Sequence, residues 1–329
     1  MAAKPDKKAK SMSHQETYRG GGARGARRRP FKGRFAALER PKSWAGLPSS
    51  DAKPGAILSV GKSSSAKADS ICMRKIIIEQ SYRAGVGHIG SALSVVDILA
   101  VLYDNILKIF SPDDPTRDRF VLSKGHAALA LYAALHLKGW ISEAELNTFC
   151  ADGTTLGVHP EFLQRGVDFA TGSLGQGLTF AVGAALAAKW QRSRRRVFVL
   201  LSDAECNEGS VWEAIMVAKH HGLGNLVAIV DVNGQQALEY TQNVIGLQPL
   251  KNRWKAFGWD VHSIDGHDHL ELGDIMRQLE EDRSVPHVLL AKTVFGKGVS
   301  FMQSQIQWHY LPMSKQQCDR ALQELEENS

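Results

Sequence analysis

Residues 197–234 read VFVLLSDAECNEGSVWEAIMVAKHHGLGNLVAIVDVNG. An apolar run, Val197 to Leu201, closes on Ser202-Asp203-Ala204 and a polar loop, Glu205-Cys206-Asn207-Glu208-Gly209. A stretch of helical period follows from Val211 to His221, then a second apolar run, LVAIVDV, that closes on Asn233-Gly234. Short β-rich runs on either side of a helix form a crossover unit, which is right-handed when the strands are parallel. Asp203 and Asn233, 30 residues apart, therefore belong at the same end of neighbouring strands. A carboxylate, an amide oxygen and a backbone carbonyl together suit a hard cation such as Mg²⁺ or Ca²⁺ and leave positions for phosphate oxygens. An Asp that caps a helix and an Asn in a turn is the favoured explanation of the pair when it is taken alone.

The pattern extends outward from this unit. Further β-rich runs fall at Phe120–Leu122, Val261–Ile264 and His287–Ala291, with helical stretches at Leu178–Gln191 and Ser314–Glu327. Ahead of them, Ile71, Met73, Ile76, Ile77 and Ile78 precede a Gly85–Gly90 turn, and Leu93–Ile109 reads as a second apolar helix. Strands alternating with helices predict an α/β fold, a parallel β-sheet with helices on both faces, with ligands at the carboxyl ends of the strands. No apolar run approaches the roughly 18 residues of a membrane span, and no apolar leader opens the chain, so membrane and secreted classes fall away. The four cysteines (Cys72, Cys150, Cys206 and Cys318) are widely spaced, which excludes a disulfide scaffold or zinc ribbon and fits a reducing, cytoplasmic setting.

Charge is unevenly divided. Residues 1–60 carry 14 Lys and Arg against 4 Asp and Glu, whereas the remainder carries 26 against 30. The basic character thus belongs to residues 1–66, which include GGGARGARRR at 20–29, lack a sustained apolar period and read as a disordered Arg/Gly/Lys-rich extension. A solvated tail, an upstream start codon, a transit peptide or a weak polyanion-binding segment each fits this composition. The globular domain is expected over residues 67–329.

A series of motifs accompanies the Asp203–Asn233 unit. In order they are Gly87-His88-Ile89-Gly90-Ser91, DRFVLSKGH at 118–126, Val158-His159-Pro160-Glu161, TGSLGQG at 171–177, ECNEGSVWEA at 205–214, IDGHD at 264–268, and Trp308-His309. Strand–Asp–helix–strand–Asn is a thiamine-diphosphate fingerprint, and the series resembles transketolase over residues 67–312, in the family's order. The resemblance covers the diphosphate-binding (PP-type) domain only. It implies one component of a split transketolase that transfers a two-carbon ketol unit from a ketose to an aldose. It also implies a separate C-terminal transketolase subunit that supplies the pyrimidine-binding domain and the catalytic glutamate, in an α₂β₂ assembly.

Each matched residue carries an implied role. Asp203, Asn233 and the main-chain oxygen of Gln235 would hold Mg²⁺, with Ca²⁺ or Mn²⁺ as alternatives. Gly172, Ser173, Leu174 and Ala204 would lie against the cofactor. His88, His126 and His309 would assist proton transfer at the sugar, with His126, His159 and His309 also contacting thiamine diphosphate. Imidazole suits this work because its ordinary pKa near 6.5 lets it donate or accept a proton at neutral pH. Glu208 and Glu213 match interface acids.

The usual Gly-Asp-Gly is Ser202-Asp203-Ala204 here, and a positive φ at Ser202 or Ala204 would strain it. Other positions carry blander expectations: His136, His220, His221, His262 and His287 are assigned to packing or solvent, as are Trp212 and Met216 to packing. His267-Asp268-His269 is a weak metal pattern, and Arg192–Arg196 is expected to be a solvated loop. Two other functions remain open at this stage, a 2-oxo acid decarboxylase or dehydrogenase subunit using the same cofactor, and a catalytically silent scaffold. Four matched histidines favour a polyhydroxylated substrate over a 2-oxo acid.

Overall fold

The computed structural model describes residues 66–279 and 284–327; the extension predicted over 1–66 lies outside them except for Ala66. The chain runs α1 (Ala66–Ala84), α2 (Ile89–Leu93), α3 (Val96–Val101), β1 (Arg119–Leu122), α4 (Ala128–Leu137), α5 (Glu143–Leu146), α6 (Gln176–Trp190) and β2 (Val197–Ser202). It continues through α7 (Gly209–His220), β3 (Leu226–Val232), α8 (Thr241–Ile245), α9 (Leu250–Ala256), β4 (Asp260–Asp265), α10 (His269–Gln278), β5 (His287–Lys292) and α11 (Lys315–Glu327). The strands form one sheet in the order β1-β2-β3-β5-β4, every neighbouring pair parallel. All five runs read as strands in the sequence are strands.

Both faces of the sheet are covered, which is why the strands read as continuous apolar runs. Alternation along each strand divides the core in two. Phe120, Phe198, Leu200, Val227, Ile229 and Leu289 join α1–α4, α10 and α11 on one side. Val121, Val197, Val199, Leu201, Ala228, Val230 and Val288 pack against α6, α7 and α9 on the other. The β2–α7–β3 unit is stapled by Trp212, whose indole N–H donates to the Cys206 carbonyl at 2.8 Å.

Local details depart from the sequence reading. The run Leu93–Ile109 is not one helix: it breaks at Ser94-Val95, and Leu102–Ile106 is a π turn. The Ser94 hydroxyl donates to the Ser91 carbonyl at 3.0 Å, competing with the helical ladder at that break. Arg196 is not solvated. It is buried, with its guanidinium on the Ile106 carbonyl at 2.6 Å and near Asp118. Met216, assigned to packing, is 49% exposed. All four thiols are free, and among the described residues no helix is long and apolar enough to cross a membrane.

Candidate active site

Strand ends set the geometry. At the carboxyl end of β2, Asp203 is buried and its two oxygens accept the N–H groups of Ala204 and Gly234, each at 2.9 Å. Burial, reinforced by the nearby Asp231 carboxylate, pushes the Asp203 carboxyl up to about 7. Such a group gains most from a cation beside it. Just beyond β3, the Asn233 amide donates to Asp231 at 2.9 Å and its oxygen accepts the Gln235 N–H at 2.9 Å. That pair of contacts fixes which way the amide faces. Gly234 makes the turn at φ 75°, whereas Ser202 and Ala204 have no positive φ, so the feared strain is absent. Asp203, Asn233 and Gly234 line a cavity of about 540 Å³ together with Thr241, Lys292 and Thr293.

The histidines gather nearby. His88 sits ahead of α2 in a left-handed conformation (φ 61°, ψ 17°), held by its N–H donating to the His309 carbonyl at 3.2 Å. Its ring lies 5.4 Å from that of His126, in the short turn Gly125–Ala127 that follows β1. A Cβ on Gly172 would come within 3.0 Å of the His159 ring, so the TGSLGQG loop closes on that histidine only because it carries glycine there. His309 lies 4.3 Å from the Phe295 ring. Of the remaining matched residues, Ser173 is exposed and Leu174 half-buried on the loop before α6, while Glu208 and Glu213 are exposed at the start of α7.

Burial, joined by repulsion from Lys124 and from one another, holds His88 and His126 below the ordinary imidazole range, and His309 falls to about 4. All three are neutral at pH 7. Among the described residues, His88 Nδ1, His309 Nε2, Gln235 Oε1 and Gln236 Nε2 are buried without a partner. Buried polar groups are almost always satisfied, so unsatisfied ones call for a partner such as a polar ligand.

Beneath these groups lies a charged network that sequence reasoning assigned no role. Lys124 and Asp231 are fully buried and paired. Asp231 also accepts from Ser94 at 2.8 Å, from Asn233 and from Thr293, so strands β1, β3 and β5 are tied at one point. Glu205 forms a second node, accepting from Ser123, from the Gly175 N–H at 2.8 Å and from the Ser202 N–H at 3.3 Å. The available signal was alternation: Asp231 shares a face with Val227 and Ile229, placing a carboxylate inside. His267 and His269 do not form a metal pair; both turn to Asp97, at 2.7 and 2.8 Å, which Arg74 also grips.

Residues 65–328 match the family described as transketolase, thiamine diphosphate binding domain. The chain belongs to the transketolase family. It is 40% identical to the 6-deoxy-6-sulfo-D-fructose transketolase subunit SqwG of Clostridium sp. (strain MSTE9), over 77% of this chain and 94% of that one. It is 39% identical to an apulose-4-phosphate transketolase subunit of Phocaeicola vulgatus, over 77% and 91% of the two chains. Against human transketolase the identity is 39% over 75% of this chain but only 40% of the other. The solved transketolase of Campylobacter jejuni superposes with a TM-score of 0.74 at 31% identity, and the present chain covers 42% of it.

Membership makes the chain a thiamine-diphosphate-binding component of a transferase, and none of these relatives is named as a 2-oxo acid enzyme. The residues fit that cofactor: a buried carboxylate of raised pKa that a cation would stabilise, unpaired buried donors and acceptors, and a glycine where a side chain would strike His159.

Proposed function

We propose that this transketolase-family chain works as one half of a two-component enzyme. It would pass a two-carbon ketol unit from a ketose to an aldose, both sugars or sugar phosphates. The observation that supports the reading is the likeness to relatives named as transketolase subunits, 94% and 91% of whose lengths are matched at 40% and 39% identity. The other half would be a C-terminal subunit with the pyrimidine-binding domain and the catalytic glutamate, assembled as α₂β₂ in the cytoplasm. Residues 67–329 would form the working domain and 1–66 an appended basic tail.

Thiamine diphosphate supplies the carbanion chemistry when bound. Asp203, Asn233 and the Gln235 carbonyl are the groups we assign to its Mg²⁺, an oxygen-only set appropriate to that ion. Gly172, Ser173, Leu174, Ala204 and His159 would border the cofactor. His309, which is buried, and His88 and His126, which are half-buried, are all neutral and would exchange protons with sugar hydroxyls and the reacting carbonyl oxygen.

The test is calorimetric titration of thiamine diphosphate with Mg²⁺ into this chain alone, then into a mixture with a chain carrying the pyrimidine-binding domain. Tight binding confined to the mixture is expected, and Asp203→Ala should abolish it. Equal binding by the isolated chain would overturn the two-component reading. Unchanged affinity in Asp203→Ala would remove the metal assignment.

A further inference from the structure

A second cluster of metal-type ligands lies at the opposite end of the sheet. Asp260 opens β4 and His287 opens β5, and the two are paired directly across the parallel ladder. His262 stands two residues along β4 from Asp260, hence on the same face. His262 Nε2 lies 2.8 Å and His287 Nδ1 lies 3.2 Å from one and the same oxygen, Asp260 Oδ2. One donor atom from each of the three residues falls within 4.8 Å of the others.

We propose that Asp260, His262 and His287 form a binding site for Zn²⁺ or a similar imidazole-seeking divalent cation. The cluster is separate from the cofactor site and goes beyond the proposed activity. Two imidazoles and a carboxylate suit Zn²⁺, Ni²⁺ or Cu²⁺ and not Mg²⁺, which favours oxygen and water. Tetrahedral Zn²⁺ with bonds near 2.0–2.1 Å separates its ligand atoms by about 3.3 Å. Both measured contacts are already within roughly half an ångström of that separation. The backbone of all three ligands is held by the β4–β5 ladder, and the His287 side chain is 1% exposed. Rotation of His262, whose side chain is 26% exposed, would complete the arrangement and leave a fourth position open to water.

Without a metal, both imidazoles direct their protons at one carboxylate oxygen, and together they draw the Asp260 carboxyl below its ordinary range. A cation replaces those two hydrogen bonds, each ring moving its proton to its other nitrogen. The bound ion would clasp the edge strand β4 to β5. Five residue steps along β4, about 17 Å, separate this end from the carboxyl end of the sheet.

The experiment is a Zn²⁺ titration of the full chain against a chromogenic chelator, with Mg²⁺ saturating, beside His262→Ala and Asp260→Asn. The wild type should take up one equivalent more of Zn²⁺ than His262→Ala, and Asp260→Asn should bind that equivalent about tenfold or more weakly. Zn²⁺ should raise the melting temperature of the wild type and not that of His262→Ala. Equal stoichiometry and affinity in the wild type and both variants would overturn the site, because Zn²⁺ would then be held elsewhere. Because His262 and Asp260 are partly exposed, at least one variant is expected to fold, and circular dichroism checks it.

Discussion

Charge at the cofactor site is decided residue by residue by burial. His88, His126 and His309 are all pushed toward the neutral form, so none of them brings a standing positive charge to the site at pH 7. The same shift makes them a liability in acid. His309 titrates near 4 when folded and near 6.5 when unfolded, so between those values the unfolded chain binds more protons and stability rises with pH. At about 1.4 kcal/mol per unit, His309 alone accounts for about 3 kcal/mol lost as pH falls through that window. The expected outcome for His309→Asn is a flatter dependence of unfolding free energy on pH between 6.5 and 4, with lower turnover at pH 7. An unaltered pH slope would show that the His309 ring is solvated in the folded chain. The position of Asp203 and Asn233, the proposed metal ligands, at neighbouring strand ends was legible in the sequence because each follows an apolar run. The brace beside it was only half legible: alternation along β3 turns Asp231 inward, but nothing local marks Lys124, which follows β1, as its buried partner.

Among the elements, the five strands were legible almost to their ends, since a parallel sheet covered on both faces needs uninterrupted apolar runs. The segment Leu93–Ile109 was not legible in the same way. It is buried nearly all round, so its composition carries no face from which to read helix phase, and Ser94 spends its hydroxyl on Ser91 and Asp231. The β1, β3 and β5 ends meet at the Lys124–Asp231 pair, and removing one partner leaves a buried charge alone. Lys124→Met should therefore destabilise the chain by about 3–5 kcal/mol in denaturant unfolding. Adding Asp231→Asn should recover part of that loss, because the stranded charge goes with it. If the loss in the double variant equals the sum of the two single losses, the pair does not act as a unit.

At the scale of the molecule, the ends of the domain lie close together. Helix α11 lies on α1, with Cys318, Ala321 and Leu325 buried in the core that holds Met73 and Ile77, and Lys75 stands 3.5 Å from Glu326. From Lys75 back to Ala66 is nine residues of helix, about 14 Å, a gap that about five or six extended residues span. The order of the elements along the chain is thus nearly a closed ring. A circular permutant with residue 327 linked to residue 66, and new termini opened at the exposed Asp152-Gly153 turn, should build the same sheet. Native-like thermal unfolding of that permutant is the expected result, and collapse to an unfolded chain would mean that synthesis order matters to assembly. In a ring of this kind the first and last helices act as a seam, and the place where the gene begins to encode the domain is a matter of history more than of architecture.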